Sequence, residues 1–159
     1  MLTISAAPIR KMVRVKVTQT RAFALFTQDF GKWWPASHSI GKSPLKHAIV
    51  EQHAGGRWYE VGEDGSQCEW GKVLEWQPPN RILLAWQINS QWQFDADLLT
   101  EIEVRFHAEG EGLTRVELEH RFIDRYGERT EAIRGMLDAP EGWSGILGIY
   151  AGILGAGGV

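Results

Sequence analysis

The chain opens on alternation: Val13, Val15 and Val17 are apolar while Arg14 and Lys16 between them are charged, which predicts a first strand over residues 9–19. Thr20 then suits the N-cap of a short helix that carries Phe23 and Phe26 on one face. A second short helix is predicted over Asp29-Phe30-Gly31-Lys32-Trp33-Trp34, stopped by Pro35, and a Ser-, Gly- and Pro-rich loop runs on to Pro44. From Lys46 to Phe122 the punctuation becomes that of a sheet. Gly55-Gly56, Asp64-Gly65, Pro78-Pro79-Asn80, the segment 89–99 and Glu109-Gly110-Glu111-Gly112 separate six runs of strand length. Val73 on one side of the Pro78-Pro79 corner, and Ile82, Leu84 and Trp86 on the other, alternate with less apolar neighbours.

The last two runs are the clearest. Ile102, Val104 and Phe106 alternate with Glu103, Arg105 and His107, and Val116 and Leu118 alternate with Arg115, Glu117 and Glu119. One face is apolar and the other charged, as in an antiparallel sheet covered on one side. The segment Pro140 to Leu154 is the cover this pattern predicts: Trp143, Ile146, Leu147, Tyr150, Ile153 and Leu154 recur at helical spacing, with Pro140 near the start. Gly145, Gly148, Gly152 and Gly155 recur at the same spacing, although an interior helical glycine costs about 1 kcal/mol relative to alanine. Such a stripe enlarges a cavity, admits a close neighbour, or marks a weak helix that frays. The expected architecture is α+β, in the order β-α-α-β6-α, as a single domain over residues 1–159 with 1–8 and 155–159 frayed.

Composition narrows the function classes. A chain of 159 residues with one cysteine, Cys68, has no intrachain disulfide, which fits a reducing compartment. A net charge of −3, from 17 basic and 20 acidic side chains, leaves no footprint for nucleic acid. The local cluster Arg10, Lys11, Arg14 and Lys16 reads as the wet face of the first strand. No apolar run approaches membrane-spanning length, and the first residues carry no signal-peptide pattern, so a cytoplasmic protein without membrane insertion is expected. The outlier is tryptophan, of which there are eight; rings of that size fill a core or line a hole.

The chain resembles the START-like SRPBCC superfamily, which has the helix-grip fold, and within it the branch named for the activator of heat-shock protein 90 ATPase. The residues that carry the likeness are Trp33-Trp34, Gly55-Gly56-Arg57-Trp58, Gly71-Lys72-Val73-Leu74-Glu75 running through Pro78-Pro79 to Trp86, Leu118-Glu119-His120, and Gly142-Trp143; together they span roughly residues 10–154. The resemblance implies a curved antiparallel sheet wrapped around a long C-terminal helix, with a cavity between them that takes lipids, hormones, polyketides or other hydrophobic small molecules, and in some members catalyses cyclisation or hydrolysis. Two features depart from the pattern: the glycine-striped last helix and the segment Trp92-Gln93-Phe94-Asp95-Ala96-Asp97.

If the apolar positions of the last two strands face inward, His120 does too, as the titratable ring on an apolar wall. It and Tyr150 are the candidates for ligand hydrogen bonding, or for acid and base if the cavity is catalytic. The expected cavity wall is Trp34, Trp58, Trp70, Trp86, Phe106, His120, Trp143, Leu147 and Tyr150, with Trp76 filling core. His47, Glu51 and His53 share a strand face but match no metal-ligand spacing, and His38 and His107 read as loop and outer-face residues. No nucleophile motif, phosphate loop or dinucleotide fingerprint is present, and neither cofactor nor metal is expected. Trp92 and Phe94 at a hairpin tip suit a lid or a self-association patch in a homodimer. The favoured expectation is a non-enzymatic binder of a small hydrophobic or aromatic molecule. The alternatives are a cyclase- or hydrolase-like enzyme using the same cavity, and a protein-interaction or stress-related module whose cavity is vestigial.

Overall fold

The computed structural model describes residues 7–154. Strand β1 (Ile9–Val15) leads into helix α1 (Gln19–Phe26) and two 3₁₀ turns, Phe30–Lys32 and Ala36–His38. Six strands follow: β2 (Leu45–Val50), β3 (Arg57–Gly62), β4 (Gln67–Gln77), β5 (Arg81–Trp86), β6 (Thr100–Gly110) and β7 (Leu113–Arg121). The chain ends in helices α2 (Thr130–Asp138) and α3 (Gly145–Ile153), joined by a wide π-type turn over Pro140–Ser144. The strands form one antiparallel sheet in the order β1-β7-β6-β5-β4-β3-β2.

That order places β1 and β2 on opposite edges, so the chain joining them must cross the sheet. Helix α1 and the turns after it make the crossing with Phe23, Leu25, Phe26 and Phe30 buried beneath them. Register shifts at Leu45/His47, Trp58/Tyr59, Val73/Glu75 and Ala108/Gly110 insert bulges that bend the strands and curl the sheet around these side chains. At Gly71 a Cβ would lie 1.7 Å from the Ala85 carbonyl oxygen, so the close approach of β4 and β5 there admits only glycine.

The inward positions follow the alternation: Ile102, Val104 and Phe106 on β6, and Val116, Leu118 and His120 on β7, are all buried. On the opposite face Glu103 is also buried, held by Arg81, Arg105 and Arg121. Burial opposes its charge, yet the hydrogen bond and charge of Arg81, with the two other guanidinium groups, keep its carboxyl below the usual carboxylate range. Alternation lapses on β5, where Leu83 and Ala85 are buried beside Ile82 and Leu84. Leu83 has Glu75 and Glu103 as cross-strand neighbours, and both pair with Arg81.

The helices differ most from expectation. The N-cap of α1 is Thr18, two residues earlier than Thr20; its Oγ1 accepts from the Arg21 N–H at 3.2 Å. The helix expected after Asp29 is only the turn Phe30–Lys32. The long helix expected from Pro140 to Leu154 is α3 alone, preceded by α2, for which the sequence reading assigns no element. Gly142 breaks the run: its ψ is −137°, and a Cβ there would sit 2.2 Å from the Leu137 carbonyl oxygen, because the chain doubles back tightly on the end of α2. Gly148 and Gly152 are exposed and a Cβ at either meets nothing, so these two members of the glycine stripe serve neither cavity nor close neighbour. Gly155 lies outside the described residues, as do 155–159 and the first six of residues 1–8, the two segments expected to fray. No helix among the described residues is long and apolar enough to cross a membrane.

Candidate functional site: an indole-walled cavity

Between the sheet and the C-terminal helices lies a cavity of about 530 Å³. Its wall is built from Trp34 after the first 3₁₀ turn, Trp70 on β4, Trp86 at the end of β5 and Ile88 just beyond it, Trp143 in the π-type turn, and Ile146 at the start of α3. The four indoles touch one another: Trp34 and Trp70 at 5.0 Å between ring centroids, Trp86 and Trp143 at 5.7 Å, and Trp34 and Trp143 at 6.1 Å. These are tilted and edge-to-face contacts, the geometries that aromatic rings prefer.

Three of the four rings are fixed by their N–H groups. Trp70 Nε1 donates to Glu60 Oε1 at 2.9 Å, Trp86 Nε1 to the Tyr126 hydroxyl at 3.0 Å, and Trp143 Nε1 to His120 Nδ1 at 3.1 Å. Tyr126 in turn donates to the Ile88 carbonyl, and burial pushes its phenol well above the ordinary tyrosine range. The Trp34 N–H has no acceptor among the described residues.

His120 is fully buried behind this wall, against Trp86 and Trp143. Because Nδ1 accepts from Trp143, Nε2 carries the proton and donates to Thr100 Oγ1 at 2.8 Å, and Thr100 Oγ1 donates to the Trp86 carbonyl at 2.9 Å. Every polar atom of the neutral ring is thus satisfied. Desolvation lowers its pKa from 6.5 to about 3, so it stays neutral at ordinary pH. Its place fixes the tryptophans of the wall and does not face the cavity.

The other expected wall residues divide in the same way. Tyr150 is fully buried, its hydroxyl donates to the Ala22 carbonyl at 2.7 Å, and its ring packs on Phe26 and Trp33; burial raises its pKa far above the usual value. Phe106 joins Phe23 and Phe26 in this solid aromatic core, and Leu147, on α3, is equally buried. Trp58 packs behind Trp70 and Trp86. None of the four lines the cavity. The interior therefore has a packed end and a hollow end, and the expectation that Tyr150, Phe106, Leu147, Trp58 and His120 share the cavity wall is corrected to Trp34, Trp70, Trp86 and Trp143.

The rim contains His38, which its sequence context marks only as a loop residue, and Trp92, one of the two residues expected to suit a lid. Ser37, His38, Ser39 and Ile40 border the opening on one side, Met136, Ala139 and Glu141 on another, and Trp92 on the β5–β6 loop. His38 Nε2 lies 2.9 Å from the Glu141 carbonyl and ties the first loop to the α2–α3 corner. Glu60, buried, accepts from Ser39 Oγ at 2.6 Å and from the N–H groups of Ile40 and Gly41, which pins the same loop to β3. Trp92 has φ of 60°, a left-handed conformation rare for a bulky residue, in a turn closed by the Asn89 side chain. Nothing in local spacing marks His38, whose loop reaches the opening only by the crossing of the sheet; Glu60 faces inward on β3 two residues after Trp58.

The remaining histidines lie elsewhere. β2 ends at Val50, so Glu51 and His53 fall in the following turn, with His53 Nε2 3.9 Å from Glu51 Oε1, and His107 pairs with Glu117 on the outer face. Among the described residues no three His, Cys, Asp or Glu side chains are grouped to hold a metal.

The family described as Activator of Hsp90 ATPase homolog 1-like protein matches residues 16–154. The chain belongs to that family. Its architecture is the helix-grip fold of the family's START-like superfamily, with α2 and α3 as the C-terminal helices. Two similar solved structures share enough sequence to carry more than the fold. One is the anthrahydroquino-gamma-pyrone synthase Txn09, 38% identical over 92% of this chain and 96% of that one, with a TM-score of 0.65. The other is the self-sacrificing resistance protein CalC from Micromonospora echinospora, 30% identical over 94% of both chains, with a TM-score of 0.71. A protein from Nitrosomonas europaea, 13% identical with a TM-score of 0.65, shows the shared fold alone. No curated protein matches significantly.

Proposed function

We propose that this protein binds a small, flat aromatic molecule in the cavity between its sheet and C-terminal helices. The observation that carries this reading is the wall: four buried indoles around about 530 Å³, three of them held in place by hydrogen bonds. That volume falls within the range of about 300–1,000 Å³ usual for small-molecule sites. A core built only for stability closes such a gap, since a void forfeits the dispersion contacts of its lining. Trp92, held at the opening in a strained backbone conformation, fits the same purpose, because strain of this kind persists where the surrounding structure gains from it.

The named activity of one similar protein, synthesis of an anthrahydroquino-gamma-pyrone, supports a polycyclic aromatic ligand over a flexible lipid. An acid–base pair of His120 and Tyr150 has no such support, since both are buried away from the cavity with their polar atoms engaged. Anthraquinone titrated into the protein is expected to quench tryptophan fluorescence to saturation. In Ile146→Trp, where a larger ring fills the cavity, the same titration should require at least tenfold more ligand. Absence of quenching by anthraquinone and by a panel of similar flat molecules contradicts the proposal.

A further inference from the structure

Two adjacent residues on the rim form a hydrogen-bonded chain that ends in the cavity. His38 Nε2 faces a backbone carbonyl, that of Glu141, at 2.9 Å, so this nitrogen carries the proton of the neutral ring. Nδ1 is then the free base, and it accepts from the Ser37 hydroxyl at 3.0 Å. Ser37 is exposed and lines the cavity, and with its proton committed to His38 its oxygen is left to accept from a hydroxyl inside. The arrangement of hydroxyl, base and a third group orienting the base is that of an activated proton acceptor. Both residues sit at the edge of a largely apolar wall, with Ser39 and Glu141 the other polar side chains there, and a small number of polar groups sets the orientation of a ligand.

We infer that Ser37 and His38 form a proton-accepting subsite for the hydroxyl of a phenol or enol carried by the aromatic ligand. This rests on the reading of the cavity as an aromatic site. The ligand O–H donates to Ser37 Oγ; as its proton passes to Ser37, the Ser37 proton passes to His38 Nδ1, leaving a phenolate or enolate and an imidazolium with no net gain or loss of protons. The ligand oxygen, now anionic, accepts from Ser37, and the imidazolium keeps its bond to the Glu141 carbonyl. The charged groups facing this loop are the Glu141 side chain, which lines the cavity, and Glu60, which holds Ser39 from β3; both are acidic.

The probe is 2-hydroxyanthraquinone, whose visible absorption shifts on ionisation. With the probe bound at saturation, the midpoint pH of its ionisation is expected to rise by about 1–2 units in His38→Gln and in Ser37→Ala relative to the unsubstituted protein, the worth of a hydrogen bond to a charged group. His38→Gln retains a donor for the Glu141 carbonyl and an acceptor for Ser37 but takes no proton, so a merely structural role for His38 leaves the midpoint in place. Ser37→Thr, which keeps the hydroxyl, should restore it. A bound probe whose midpoint is the same in all four proteins overturns the subsite and leaves the aromatic site standing. Failure of the probe to quench the indoles overturns both.

Discussion

Replacing His120 with glutamine tests the physical account of the wall through pH. In the folded protein the imidazole is fully buried, with a pKa lowered by desolvation from 6.5 to about 3. In the unfolded chain it titrates near 6.5, so between those values the unfolded state binds one more proton than the folded one. Stability from this group is complete above pH 6.5 and is lost as pH falls toward 3, at about 1.4 kcal/mol per pH unit. From pH 7.5 to 4.5 the loss is roughly 2–3 kcal/mol, a large part of an ordinary domain's stability. Glutamine offers an acceptor to Trp143 and a donor to Thr100 but does not titrate. At pH 7.5 the variant should be less stable by about 1–3 kcal/mol, from imperfect hydrogen bonds and packing. At pH 4.5 that deficit should shrink by roughly 2–3 kcal/mol, because only the unsubstituted protein carries the titration cost. Urea unfolding of both proteins across this range measures the difference, and the carboxylates common to both cancel. Parallel stability-against-pH curves would refute the buried neutral imidazole.

The remaining expectations concern the glycines and the loop at the opening. Gly148→Ala and Gly152→Ala, at exposed helical positions where a Cβ meets nothing, should each raise stability by about 0.5–1 kcal/mol in urea unfolding. Gly142→Ala places a Cβ 2.2 Å from the Leu137 carbonyl oxygen and should cost about 1–3 kcal/mol in the same assay. Glu60→Gln leaves one carboxyl oxygen's donors, among Ser39, Ile40, Gly41 and Trp70, facing an amide NH₂; stability should fall by about 1–3 kcal/mol, with a change in Trp70 fluorescence.

The sheet was legible because period-two alternation survives wherever one face is covered: Ile102, Val104, Phe106, Val116, Leu118 and His120 all point inward as their spacing requires. The helical cap was only half legible. Helix α2 buries just Thr130, Ile133 and Leu137 amid charged neighbours, too narrow a stripe to stand out, and the break at Gly142 comes from a tertiary close approach that no local pattern encodes. The candidate site divides along the same line. Tryptophan abundance pointed to an aromatic interior, but which rings fill and which line is decided by how α1 crosses the sheet: Phe23, Phe26, Phe106 and Tyr150 meet at one end, and the hollow is left to Trp34, Trp70, Trp86 and Trp143. His38 was invisible as a rim residue because its partner, the Glu141 carbonyl, lies on the far side of the sequence.

The indole N–H resonances of a two-dimensional NMR spectrum report each tryptophan separately during titration with anthraquinone. A ligand held between sheet and helices moves the signals of Trp34, Trp70, Trp86 and Trp143 together and leaves Trp76, which packs on Phe23, in place. Saturating ligand that leaves those four unmoved, or that shifts Trp76 in their stead, contradicts the account.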